Sequence, residues 1–212
     1  MWKDQVKKTG DANAAAYRIF VDAPESVAGD PDAGEALLKL LSTDGPSPAG
    51  ILLSALAAGK AAIEPLRKIA ASGTEEQVKL HNWSLPVSAA WPARMALSRL
   101  GDADSRQWIL SALESATPAE RIFALDSIGV IDDPTTLHQV AANYLNDESE
   151  ISSGGGGVPS GAGPHRRIAD YAVDQLIERL KLPVSFERRP SARYEQAQID
   201  ETRQLVRQSI PS

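Results

Sequence analysis

Apolar residues recur at spacings of three and four through much of this chain, and the runs they form open at proline and close at glycine. In SAAWPARMALSRLGD (88–102), Ala93, Ala96, Leu97 and Leu100 fall on one helical face, with Gly101 placed as a C-terminal cap. DSRQWILSALES follows after a short turn and puts Trp108, Ile109 and Leu113 on the side to be buried. Together the two segments predict a tight helical hairpin.

The next segment starts by the same logic. Thr117, Pro118 and Glu120 supply an N-cap, a proline at the first helical position and an N3 acid, a capping box ahead of RIFALDSIG. Asp133 and Pro134 predict a further start, with Leu137, Val140, Ala141, Tyr144 and Leu145 as its apolar stripe. Beyond a glycine-rich stretch, PHRRIADYAVDQLIERL carries two neighbouring ridges, Ile168, Ala172, Leu176 and Leu180 beside Ala169, Val173 and Ile177. A helix with two ridges can pack on both sides.

These segments repeat loosely. Ala96-Leu97 and Ala124-Leu125 each precede a large aliphatic residue and a glycine at the same spacing, 28 residues apart; Ala172-Val173 lies a further 48 residues on. The excess of 20 residues matches an insertion that includes the glycine stretch. The first half is less regular. Helices are expected around Ala16, Ile19 and Phe20, in PDAGEALLKLLS, in SPAGILLSALAAG and in AAIEPLRKIAASG, where Pro65 should kink or shorten the helix. HNWSLPVS reads as a connector, and no stretch alternates with period two for long enough to predict a sheet. LPVSF (182–186) is the best strand candidate.

ARMALSRLGD, AERIFALDSIGVIDDP and RRIADYAVDQL resemble bacterial HEAT-like repeats. The resemblance implies an all-α fold, a right-handed α-α superhelix of antiparallel helix pairs commonly used to bind a macromolecule. Some members of that group act as lyases on covalently attached pigments. The organisation expected is one repeat domain over 1–212, with a less regular part (1–85), clearer HEAT-like repeats (86–181), a glycine-rich insertion (152–163) and a C-terminal capping helix (193–210).

Composition narrows the function classes. Hydrophobic residues make up 42% and aromatics 5%, so the core is built mainly of Ala, Leu, Ile and Val. The net charge of −6 is uneven: 13 basic and 21 acidic residues in 1–160, against 9 and 7 beyond. That balance lacks the footprint of a nucleic-acid binder. There is no cysteine, so no thiol nucleophile, disulfide or thiolate metal site. No apolar run reaches the length of a membrane span. MWKDQVKKTG has no apolar core behind it, so a cytoplasmic location is expected unless a leader has already been removed.

Candidate chemistry is sparse. SSGGGGVPSGAGPH (152–165) matches neither a phosphate-loop nor a dinucleotide fingerprint. His165, Arg166 and Arg167 near the next helix start are a possible anion contact; a connecting loop and a partner-touching loop are the other readings. His81, His138 and His165 have no metal spacing, and no cofactor is expected. Asp132, Asp133, Asp147, Glu148 and Glu150 offer an acidic contribution to a basic partner, or a solvated surface. Trp83 offers an aromatic anchor, or a side chain folded over a hairpin end. Arg188 and Arg189, with Arg193, form a short basic cluster that offers a weak contact to an acidic protein or RNA. The function expected is a non-enzymatic protein–protein interaction module, in its most specific form an immunity or inhibitor protein facing a basic partner. The alternatives are an enzyme or accessory lyase using the groove of the array, and a self-associating scaffold.

Overall fold

In the computed structural model the described residues are 1–43, 46–72, 75–80, 83–127, 143–150, 166–189 and 193–209. They form two units, Met1–Ser111 and Ala112–Ser212. The architecture is all-α, with helices packed on their neighbours in sequence, apart from one two-stranded ribbon.

The first unit contains α1 (Trp2–Thr9), α2 (Ala12–Asp22), α3 (Pro31–Leu41), α4 (Pro48–Ala57), α5 (Ile63–Ser72), β1 (Glu75–Leu80), β2 (Trp83–Ser88) and α6 (Ala90–Arg99). α7 (Ala103–Ser115) begins in it. α4 is the centre: every residue from Ala49 to Leu56 is buried, and α2, α3 and α6 pack against it. A helix apolar on all sides is stable only when surrounded. Leu41, Ile51, Ala55, Leu66, Ala93, Ala96 and Leu97 form one cluster within this core. Small residues allow close approach here; a Cβ on Gly34 of α3 would lie 3.1 Å from the Ala57 carbonyl oxygen.

The helix caps read from sequence operate as expected, whereas Pro65 makes no kink. Asp30 caps α3 by accepting from the Asp32 and Ala33 amides at 3.0 and 3.3 Å, with Pro31 at the first helical position. Gly101 takes φ +90° after α6, and its amide and that of Asp102 close on the Ser98 and Leu97 carbonyls, both at 3.0 Å. Pro65 falls in the first turn of α5, where no i−4 bond is lost, so it marks the start and does not kink the helix.

Three expectations are corrected. An additional helix, α1, precedes the first one expected and buries Trp2 at 4% exposure. Residues 83–88, read as a connector, form β2. Its antiparallel register pairs Val78 with Leu85, Leu80 with Trp83 and Lys79 with Ser84. Only two residues separate the strands, so the alternation changes parity between them and is hidden from a single period-two scan. Residues 182–186 form no strand; Ser185 is tied to Glu201 through its amide (2.5 Å) and hydroxyl (2.7 Å).

The second unit holds the rest of α7, α8 (Pro118–Ser127), residues 143–150, α9 (Ile168–Leu180) and α10 (Gln196–Ser209). The capping box forms: Thr117 Oγ1 accepts from the Glu120 amide at 3.3 Å, and Glu120 Oε2 accepts from the Thr117 amide at 2.8 Å. Both ridges of α9 are covered through Ile177, and α9 packs against α8 and α10. The α10 stripe is buried at Ile199 and Val206. The helix start expected at Asp133 and Pro134, the 152–163 insertion and Ile210 lie outside the described residues.

Candidate functional site

The densest polar chemistry gathers at the start of α9. Arg166, Asp170 and Asp174 follow at intervals of four, beside the second apolar ridge, which puts them on one side of the helix. Asp170 is fully buried and Asp174 nearly so. Asp170 accepts from the Arg167 amide at 2.7 Å, its Nε at 3.2 Å and its Nη2 at 2.9 Å, and from the Tyr194 amide at 2.9 Å. Arg167 is equally occupied. Beyond Asp170, its Nη2 donates to the Tyr194 carbonyl at 2.6 Å and its Nη1 meets both Glu148 oxygens at 3.0 and 3.1 Å. Every nitrogen of the guanidinium is engaged, which is what a buried arginine requires.

Asp174 draws in the segment after α9. It accepts from the Tyr194 hydroxyl at 2.7 Å, ion-pairs with Arg166 and lies 3.5 Å from Arg188 Nε. The Tyr194 hydroxyl in turn accepts from the Arg189 amide at 3.1 Å. Burial, reinforced by donation to Asp174, pushes this phenol up to about 12. Phe186 packs against its ring with centroids 5.6 Å apart.

Residues 143–150 are held from several sides. The Ser149 and Asp147 carbonyls accept from the Ile168 and Ala169 amides at 3.1 and 3.0 Å, occupying first-turn donors of α9. Arg121 of α8 ion-pairs with Asp147, and its guanidinium carbon lies 5.7 Å from the Tyr144 ring centroid. The Tyr144 hydroxyl donates to the Leu113 carbonyl at 3.2 Å. Burial pushes the Asp147 carboxyl up, but hydrogen bonds from Ser149 and Arg121 outweigh it and hold the group below its ordinary value. Arg203 of α10 donates to Asn146 Oδ1 at 2.7 Å.

The outer edge of this network is charged and exposed. Glu148 and Glu150 have side chains 59% and 52% exposed, and both meet Arg193, at 3.7 and 3.2 Å. Asp147, only 10% exposed, is turned inward. Arg188 pairs with Glu178 at 2.7 Å and Arg189 with Glu187 at 2.9 Å. Arg166 lies over the Tyr171 ring at 4.1 Å. Asp132, Asp133 and His165 lie outside the described residues; Trp83 opens β2, and its side chain is not among those described.

Asp170, Asp174, Tyr194 and Arg121 were not singled out from the sequence, whereas Arg193 was expected in a basic cluster with Arg188 and Arg189. The available signal was the pair of acids four apart, set directly beside an apolar ridge, a position that demands cationic partners once buried. Arg166, Arg167 and Arg188 answer that demand, whereas the exposed Glu150 meets Arg193 across 43 residues. Among the described residues no group of three or more histidines or carboxylates is placed to hold a metal ion, and no helix is long and apolar enough to cross a membrane. No family model, curated protein or solved structure matches the chain.

Proposed function

We propose that this chain is a non-enzymatic protein-interaction module that meets a basic partner through the Glu148–Glu150–Arg193 edge of its second unit. The observation that carries the reading is the anchoring of exposed carboxylates on a buried base. Glu148 is gripped by both its oxygens from Arg167, and Arg167 is in turn fixed by the fully buried Asp170. Exposed glutamates ordinarily lose rotamer freedom when a partner immobilises them. Here much of that ordering is already complete before contact. Glu150 keeps capacity as well, since among the described residues only its Oε1 is bound, to Arg193 at 3.2 Å.

Charge supports the same direction. Residues 112–212 hold 15 acidic and 10 basic side chains, so this unit carries most of the negative surplus and would steer a basic surface toward itself. Asp132 and Asp133 are two of those acidic residues. In the finer form of the proposal, the helices stack as HEAT-like antiparallel pairs in a right-handed superhelix, and the protein acts as an immunity or inhibitor protein. Trp83 then serves as an aromatic anchor, while Arg188 and Arg189 serve as a flanking contact.

The test is affinity capture from extract of the native cell with the full chain and with a Glu148→Gln/Glu150→Gln variant. A protein with a basic surface, retained by the parent and lost by a variant of unchanged thermal stability, is the expected result. Equal recovery by both would remove this edge from the interface.

A further inference from the structure

Three arginines among the described residues lie over aromatic rings: Arg121 over Tyr144 at 5.7 Å, Arg166 over Tyr171 at 4.1 Å and Arg94 over Trp108 at 5.6 Å. In each the Nε is buried with no hydrogen-bond partner. Two of the three compensate with a carboxylate on a terminal nitrogen, Asp147 on Arg121 and Asp174 on Arg166. Arg94 has no such carboxylate among the described residues. Its hydrogen bond is a long one, from Nη1 to Ser105 Oγ at 3.5 Å.

Asp102 is committed elsewhere: it receives the Ser105 amide at 2.8 Å and pairs with Arg67 at 3.1 Å. The aromatic platform is nonetheless well built. Trp108 meets Trp91 edge to face, with centroids 5.1 Å apart and planes at 68°, and Trp91 is buried at 2% exposure. Arg94 and Trp108 themselves are partly exposed. The result is a part-exposed cation held over an indole, its Nη1 on one long hydrogen bond and no carboxylate on it among the described residues.

We propose that the Arg94–Trp108 pair is a second contact site, one that receives the carboxylate of an acidic side chain from a protein partner. Charge complementarity selects the ligand: a guanidinium fork takes a carboxylate through two parallel N–H···O bonds. The part-exposed Trp and Arg on a helical surface, joined to a buried indole, are the residue types that anchor protein interfaces. The site lies in the first unit and prefers the charge opposite to that sought by the Glu148–Glu150 edge. It does not rest on the function proposed above.

The experiment uses the ¹⁵N-labelled full chain at low salt, following the Arg94 Nε–H and Trp108 Nε1–H signals. The probes are an N-acetylated, C-amidated tetraglutamate peptide, its tetraglutamine counterpart and sodium acetate. Saturable shifts at both signals with tetraglutamate, and none with tetraglutamine, are expected. Arg94→Gln should weaken binding of the peptide by about tenfold or more, as loss of a charge-assisted hydrogen bond implies. Arg94→Lys, which keeps the charge and fold but loses the fork, should weaken it as well. Glu148→Gln/Glu150→Gln should leave it unchanged. No shift with tetraglutamate, an equal shift with tetraglutamine, or undiminished binding by Arg94→Gln would overturn the site. Acetate binding as tightly as the peptide would overturn its assignment to a protein partner.

Discussion

Arg167 and Asp170 stand three residues apart at the start of α9, both buried, each using the other to offset the loss of solvation. Such pairs add little net stability over an apolar pair of similar shape, yet they are costly to break from one side. Asp170→Asn leaves the guanidinium charge without its buried counterion, and should lower the unfolding free energy in urea by about 3–5 kcal/mol. A loss below about 1 kcal/mol would show that the pair is replaceable by hydrogen bonding alone. Tyr194 offers a test by pH. The folded chain keeps this phenol neutral to about 12, whereas the ordinary value is 10.0. Its contribution to stability is therefore whole below pH 10 and is lost as pH rises from about 10 to about 12. Absorbance titration of the folded chain should show a phenol ionising near that upper value, and Tyr194→Phe should remove the step.

At the scale of elements, starts and stops govern where helices lie, and these are local. Thr117→Ala removes the cap of α8 and should cost about 1 kcal/mol by chemical denaturation. Gly101→Ala places a Cβ at φ +90° and should cost at least about 1 kcal/mol by the same measurement. Because caps and apolar ridges act over four or five residues, the boundaries of α3 and α6, the start of α8 and both ridges of α9 were legible in the sequence. The ribbon was not: each strand has only six residues, and Leu80 pairing with Trp83 reverses the parity of the pattern. α1 was hidden for a different reason. Its WKDQVKKT is mostly polar, with Trp2 and Val6 its apolar residues, and the burial of Trp2 within the first unit anchors it. Of the candidate site, the exposed acids could be read directly. The arginines that orient them come from α8, from α9 and from residue 193, so their convergence is a product of tertiary packing.

Over the whole molecule, the negative surplus concentrates in residues 112–212, and there the exposed Glu148 and Glu150 are set on a buried ionic base. Under the proposed function, a complementary partner would meet side chains already ordered in part by their arginines. Binding through the Glu148–Glu150 edge should weaken as salt rises, because the contributing charges are exposed and screened. The most direct measurement is quantitative capture from native extract by the full chain and by Glu148→Gln/Glu150→Gln, at low and high salt, with thermal stability of the two proteins matched. A basic partner should be retained by the parent at low salt, depleted at high salt, and lost from the variant at both. The same partner recovered equally by parent and variant would contradict the proposed function.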